Sequence, residues 1–278
     1  MKILITGADG MLGTDLQEVL KDEEIIATDV DVLDITDKKA TFDFVDDHKP
    51  DIIINSAAYT DVDGCEENKD LAFKINSEGP KILALACKEF DIPLVHISTD
   101  YVFNGDNDKP WKETDVPNPI SVYGETKLEA EVAIQEILDK FFILRTAWLY
   151  GVHGNCFPKT MLELSQNHDE ISVVDDQVGS PTFTLDLATA ISKLIKTDFY
   201  GLYHLTNSEY CSWYDFTKLI FKLSNIDTKV KAVTTEEFPR PAPRPKYSVL
   251  ANNLWKENGF EPLRSYKEAI EEYLSLVK

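Results

Sequence analysis

Lys2-Ile3-Leu4-Ile5-Thr6-Gly7-Ala8-Asp9-Gly10-Met11-Leu12-Gly13 is the stretch that decides the fold. A short apolar run of strand character passes directly into a glycine turn, and the turn opens a segment with apolar residues at helical spacing. In that context each glycine has a task. Gly7 permits the tight turn, Gly10 lets the backbone approach a pyrophosphate, and Gly13 allows the helix to pack close to the strand. The amino terminus of the helix attracts the phosphate charge. The alternative is a strand-to-helix turn with no ligand, which the strand before and the helix after make the weaker reading.

Outward from this turn the same alternation repeats. Ile25 to Thr28, Asp51 to Asn55, Leu94 to Ser98 and Phe142 to Thr146 read as further buried strands, and Met11 to Leu20, Thr36 to Asp47, Asp70 to Phe90 and Val122 to Leu138 as the helices between them. Right-handed crossovers turn such a series into a doubly wound parallel sheet. The predicted fold is therefore α/β, a Rossmann-type sheet with a smaller α/β substrate-binding lobe on the C-terminal side. The dinucleotide-binding domain is expected over 1–152 plus about 182–206, where Gly201 to Thr206 returns to the sheet, and the lobe over 153–181 and 207–278. Ser265 to Val277 reads as an amphipathic helix. Phe238-Pro239-Arg240-Pro241-Ala242-Pro243-Arg244-Pro245 reads as a stiff extended loop carrying two arginines.

Bulk properties narrow the function classes. A net charge of −21 over 278 residues argues against a broad nucleic-acid or anionic-membrane surface. It leaves room for an anionic small ligand, because exposed charge is screened over about 8 Å at physiological salt and a few arginines can reverse the field in a cleft. No stretch approaches the roughly 20 apolar residues that span a bilayer, and the amino terminus has no leader pattern, so the expected location is cytoplasmic. Cys65, Cys87, Cys156 and Cys211 have no paired spacing and read as isolated core residues.

Asp29 lies just past the second strand, where a carboxylate can accept hydrogen bonds from the adenosine ribose. With Asp31 close behind it would repel a 2′-phosphate, which favours NADH over NADPH; a turn-capping role is the plainer alternative. Asp34 and Ile35 are placed to hold adenine, and Ala57-Ala58-Tyr59-Thr60 to run along the cofactor. Tyr123 and Lys127, four residues apart on a helical pattern, share one face. A tyrosine with an ammonium neighbour is a proton donor whose pKa, ordinarily about 10, is drawn toward neutrality. Such a pair is common on exposed helices. Here it accompanies Ser98-Thr99-Asp100-Tyr101-Val102-Phe103 at the end of the fourth strand, the edge where ligands of open α/β sheets bind. Thr99 could hold a carbonyl oxygen while Tyr123 protonates it and a nicotinamide delivers hydride to the same carbon.

These motifs, with Tyr123-Gly124-Glu125-Thr126-Lys127, Arg145-Thr146-Ala147-Trp148-Leu149-Tyr150-Gly151, Gly154-Asn155-Cys156-Phe157, Asp176-Gln177-Val178-Gly179-Ser180-Pro181-Thr182 and Arg244-Pro245-Lys246-Tyr247-Ser248, resemble the dTDP-4-dehydrorhamnose reductases, an extended short-chain dehydrogenase family, over nearly the whole length. The resemblance implies reduction of dTDP-4-dehydro-6-deoxy-L-mannose to dTDP-L-rhamnose. Thr99, Tyr123 and Lys127 become the catalytic set. Gly7, Gly10 to Gly13, Asp29, Asp34, Ile35, Ala57 to Thr60, Tyr123 and Lys127 then lie along NADH or NADPH. Thr99, Asp100, Trp148 and Asn155 are placed at the dTDP-sugar, with Arg240 and Arg244 as diphosphate partners or, alternatively, solvated loop charges. Cys156 departs from the asparagine common at its place. Some members form homodimers around Mg²⁺ held by glutamates, and no such ligands are assigned in this sequence.

Other readings stay open. The family also resembles the beta subunit of methionine adenosyltransferase, a non-catalytic regulatory module. A reductase acting on another nucleotide 4-keto-deoxysugar differs only in side-chain placement. An epimerase or dehydratase is the third, although dehydratases of this fold pair two acids beside the threonine, and here Asp100 is followed by Tyr101.

Overall fold

The apolar runs of the first half become β1 (Lys2–Thr6), β2 (Glu24–Thr28), β3 (Ile52–Asn55), β4 (Leu94–Thr99) and β5 (Phe141–Thr146) in a computed structural model that describes residues 1–277. With Gly201–His204 they form a six-stranded sheet in the order Gly201–His204, β5, β4, β3, β1, β2, and every pairing is parallel. A sheet covered on both faces has no polar side, which is why Ile3 to Ile5 and Ile52 to Ile54 are all apolar and all buried. The strand order reverses between β1 and β3, where ligands of open α/β sheets bind.

Alternate strand residues serve different layers. Ile3, Ile5, Val95 and Leu144 pack against α1 (Met11–Val19) and the helix Thr184–Leu194 through Leu12, Leu16, Leu187 and Ile191. Leu4, Ile53, Leu94 and Ile143 pack on the other side against Val45 of α2 (Lys38–His48), Leu83 of the helix ending at Phe90, and Ile134 of the helix that follows β4.

The helix expected over Asp70 to Phe90 is not continuous. The chain forms α3 (Val62–Glu67), α4 (Lys69–Phe73), a π-helical turn at Lys74–Glu78, then α5 (Gly79–Phe90). The wide turn carries Asn76, whose side chain accepts from Tyr59 N at 2.7 Å and donates to Tyr59 O at 3.0 Å. It thereby clamps the segment that leaves β3. Apolar spacing survives such an insertion, so the pattern alone reads as one helix.

Beyond β5 the chain builds a second core. Glu170–Val174 pairs in parallel with Lys229–Val233, and the helices Phe157–Ser165, Trp213–Ser224 and Tyr266–Leu276 gather around Phe183, Phe216, Ile220, Ile270 and Tyr273. Ser265 caps the last helix in a capping box with Glu268. All four cysteines are free and buried, and among the described residues no helix is long and apolar enough to cross a membrane.

α6 (Val122–Ile137) is fastened to the sheet by charge as well as by packing. Glu131 accepts from Arg145 of β5, Nε at 2.9 Å and Nη2 at 2.6 Å, and from Ser98 Oγ of β4 at 2.5 Å. Both charged side chains are almost wholly buried, at 3% and 0% exposure. Breaking such a pair leaves an uncompensated ion in a dry interior, so Glu131→Gln should lower the unfolding free energy by about 3–5 kcal/mol. Denaturant titration measures this; a loss below about 1 kcal/mol would mean other groups meet the Arg145 charge.

Candidate active site

The glycine turn has the form that a pyrophosphate needs. Gly7 adopts φ +68°, and a Cβ there would stand 2.6 Å from Ala57 N; a Cβ on Gly13 would stand 2.2 Å from Gly7 O. Gly10 caps α1 without a side-chain bond, so the first-turn N–H groups, those of Met11 and Leu12 included, are uncapped by any side chain. These residues fit a dinucleotide phosphate. Asp29, at the end of β2, accepts from Asp9 N at 3.3 Å and Val30 N at 2.7 Å, which brings its carboxylate against the same turn. Ser56 N donates to Thr6 O, and Ala57 to Thr60 leave β3 beside Gly7.

Two residues expected at the adenine also have partners within the chain. Asp34 accepts from Thr36 N at 2.9 Å and Thr36 Oγ1 at 2.6 Å, and those bonds hold its carboxyl below the usual range. Ile35 is buried in the core beside Gly79. An Asp two residues before a threonine closes a local turn at little cost, a competing use that spacing does not distinguish.

At the end of β4, Thr99 Oγ1 donates to Asp100 Oδ1 at 3.0 Å and accepts from Tyr101 N at 3.2 Å. Ser121 caps α6 and places Tyr123 in its first turn, the phenol beside the Thr99 hydroxyl and its ring edge-on to Tyr101 at 5.6 Å. Burial and then the Asp100 carboxyl push the Tyr123 hydroxyl above its ordinary pKa, with the Thr99 hydroxyl acting the other way. Lys127 Nζ donates to Ile97 O at 2.6 Å and lies 3.3 Å from His96 Nε2. Burial lowers it to about 8, opposed by Glu131. The expected ammonium-to-phenol partnership, with a depressed tyrosine, is therefore replaced. The amine is drawn to a buried carbonyl of β4, because a buried polar group takes the nearest partner that satisfies it, and the phenol lies beside Thr99. Asp100 is buried, and burial, partly offset by the hydroxyls of Ser248 and Thr99, raises its carboxyl to about 6.

Trp148 takes the left-handed conformation, φ +50°, and stacks face to face on Trp213, with ring centroids 3.5 Å apart and planes 5° from parallel. Asn155 is exposed, and its Oδ1 accepts from Lys159 Nζ at 3.4 Å. The two loop arginines converge on Asp63 of α3. Arg240 donates through Nε at 2.8 Å and Nη2 at 2.5 Å, Arg244 through Nη1 at 2.5 Å, and Ala242 N at 3.0 Å. Burial acts against ionisation of Asp63, but the Arg244, Ala242 and Arg240 bonds hold its carboxyl far below the usual range. Sequence reasoning did not find Asp63, His96, Asn55 or Trp213. Asp63 is 177 residues from Arg240, and no local pattern connects them. Asp15, Glu18 and His153 bring ligand atoms within 4.8 Å of one another and are, among the described residues, a group that could take a metal.

Comparison with known proteins finds a matching family and similar structures. The family described as RmlD substrate binding domain matches residues 1–278. The spore coat polysaccharide biosynthesis protein SpsK of Bacillus subtilis is 42% identical over 275 residues, covering 98% of this chain and 96% of that protein. The crystal structure of a dTDP-4-dehydrorhamnose reductase from Clostridium acetobutylicum superposes with a TM-score of 0.98 at 52% identity, covering 100% of this chain and 99% of that one. That of a dTDP-4-dehydrorhamnose reductase from Bacillus anthracis in complex with NADP gives 0.97 at 44% identity, covering 99% of each.

The raised carboxyl of Asp100 has a sign that can be measured. Between its unfolded value of 3.8 and about 6 the folded protein binds the extra proton, so this residue stabilises at low pH and the contribution is lost as pH rises through 6. Asp100→Asn should gain about 3 kcal/mol on the wild type between pH 4 and pH 7, two pKa units at about 1.4 kcal/mol each. Denaturant titrations of both proteins across that range measure it; a pH-independent difference would place the carboxylate in a well-solvated setting.

Proposed function

The chain belongs to the RmlD substrate binding domain family, and on that premise we propose that it reduces the 4-keto group of dTDP-4-dehydro-6-deoxy-L-mannose to give dTDP-L-rhamnose, with NADH or NADPH as reductant. The observation that carries this reading is the Thr99–Tyr123 hydroxyl pair at the end of β4, on the same sheet edge as the glycine turn. When bound there, the reduced nicotinamide supplies the hydride for the carbonyl carbon.

The protein's own groups act on the oxygen. Thr99 holds the carbonyl oxygen by a hydrogen bond, and Tyr123 Oη gives its proton to that oxygen as negative charge develops. Burial and Asp100 keep the phenol protonated through the neutral range, so Tyr123 enters the reaction with its proton in place. Trp148 and Trp213 present a double aromatic wall for the sugar. Arg240, Arg244 and Asp63, two cations and one anion, sum to one positive charge. That gives a diphosphate a cationic target in a chain of net charge −21. Asp29 beside the glycine turn favours the free ribose of NADH over a 2′-phosphate.

Purified protein incubated with enzymatically generated dTDP-4-dehydrorhamnose should consume NADH or NADPH and yield dTDP-rhamnose. Tight binding of a protein partner with no turnover would favour a regulatory subunit, and turnover confined to another 4-keto-deoxysugar would favour a sister reductase. Tyr123→Phe should lower kcat at least about a hundredfold while cofactor affinity stays near that of the wild type. Wild-type turnover in that variant would remove Tyr123 from the chemistry. Asp29→Ala should move the ratio of kcat/KM for NADPH over NADH upward by roughly tenfold; an unchanged ratio would assign the preference elsewhere.

A further inference from the structure

Around Lys127 every hydrogen bond has a determinable direction. In the sheet, Asn55 of β3 stands between Thr6 of β1 and His96 of β4. Ala57 N–H can only donate, and it reaches Asn55 Oδ1 at 3.1 Å; Thr6 Oγ1 lies 2.8 Å from the same oxygen. Asn55 must therefore turn its NH₂ toward His96, whose Nδ1 is 3.0 Å away. Nδ1 accepts, so the proton of the neutral ring sits on Nε2. Nε2 lies 3.3 Å from Lys127 Nζ. An ammonium offers only donors to that N–H, whereas a neutral amine donates to Ile97 O at 2.6 Å and accepts from His96.

The opposite assignment fails at its far end. An ammonium at Lys127 would need the His96 proton on Nδ1. Asn55 would then have to present its oxygen to His96 and its NH₂ to Ala57 N–H, a contact between two donors inside the sheet.

We infer that His96 is a positioning residue for Lys127: held by Asn55, it points Nε2–H at Nζ, docks the lysine on the Ile97 carbonyl, and favours its neutral amine over the ammonium when no cofactor is bound. The charged groups around this pocket agree. Glu131, one turn further along α6, draws Lys127 toward the ammonium, but its carboxylate is occupied by Arg145 of β5 and Ser98 of β4. β3 contributes only the neutral Asn55, and β4 contributes His96 and the Ile97 carbonyl. Burial lowers Lys127 to about 8, and burial together with Lys127 holds His96 well below its ordinary value, so the ring stays neutral.

The kinetic consequence rests on the reductase reading; the protonation state does not. In ¹⁵N spectra of histidine-labelled protein stripped of cofactor, His96 should carry its proton on Nε2. In ¹³Cε-lysine spectra, with Lys127 assigned by its loss in Lys127→Arg, the midpoint should rise by about tenfold in proton affinity in His96→Asn. Asparagine keeps the bond to Asn55 but does not reach Nζ. The alkaline limb of kcat/KM should move up by the same roughly one pH unit, whereas a merely structural role would lower activity equally at every pH. A proton on Nδ1 of His96, or an unchanged Lys127 midpoint, overturns the inference. Wild-type protein that shows the expected tautomer and midpoint yet turns over no keto-sugar nucleotide overturns the reductase reading alone.

Discussion

One buried carboxylate, Glu131, holds the working parts of this protein in register. It lies one turn past Lys127 on α6 and is gripped by Arg145 of β5, while Ser98, the residue before Thr99, donates to it from β4. Thr99 therefore ends a strand fastened to the same helix that carries Tyr123 and Lys127. A purely apolar contact between helix and sheet tolerates sliding and rotation at modest cost. A buried ion pair with its hydrogen bonds satisfied does not, because any slip strands a charge away from its partner. Arg145 is in turn packed over the Phe103 ring, 5.1 Å from its centroid, so the pair is embedded against the loop that follows Thr99.

The electrostatics of the site follow from what each group can reach. The sheet edge offers Tyr123 a hydroxyl, Thr99, and a nearby carboxyl, Asp100, and both burial and that carboxyl favour the protonated phenol. Lys127 points instead into the sheet, to Ile97 and His96. Its influence on the chemistry thus passes through its own protonation and through whatever it holds, rather than through a direct contact with the phenol. Asp100, raised to about 6, makes the charge beside Tyr123 depend on pH in the range where a cell operates.

The proline-bearing loop shows how stiffness and charge combine. Prolines hold the segment extended and remove N–H groups that would otherwise need partners. Asp63 then fixes both arginines and the one free N–H of Ala242 between them. The loop is thereby seated on α3, with two cations meeting one carboxylate.

Much of this was legible in the residues alone. The strand, glycine turn and helix at the amino terminus, the five leading strands, Thr99 at a strand end, and the Tyr123–Lys127 spacing are all local patterns. Periods of two and 3.6 residues and the steric demands of Gly7 and Gly13 act within a few positions along the chain. What the tertiary structure decided is of another kind: the π turn that clamps Tyr59, the pull of Arg240 and Arg244 onto Asp63, the stacking of Trp148 on Trp213, and the direction in which Lys127 points. Each depends on which donor meets which acceptor across the fold. That matching is settled by burial among residues as far apart as Asp63 and Arg240, and no spacing along the chain encodes it.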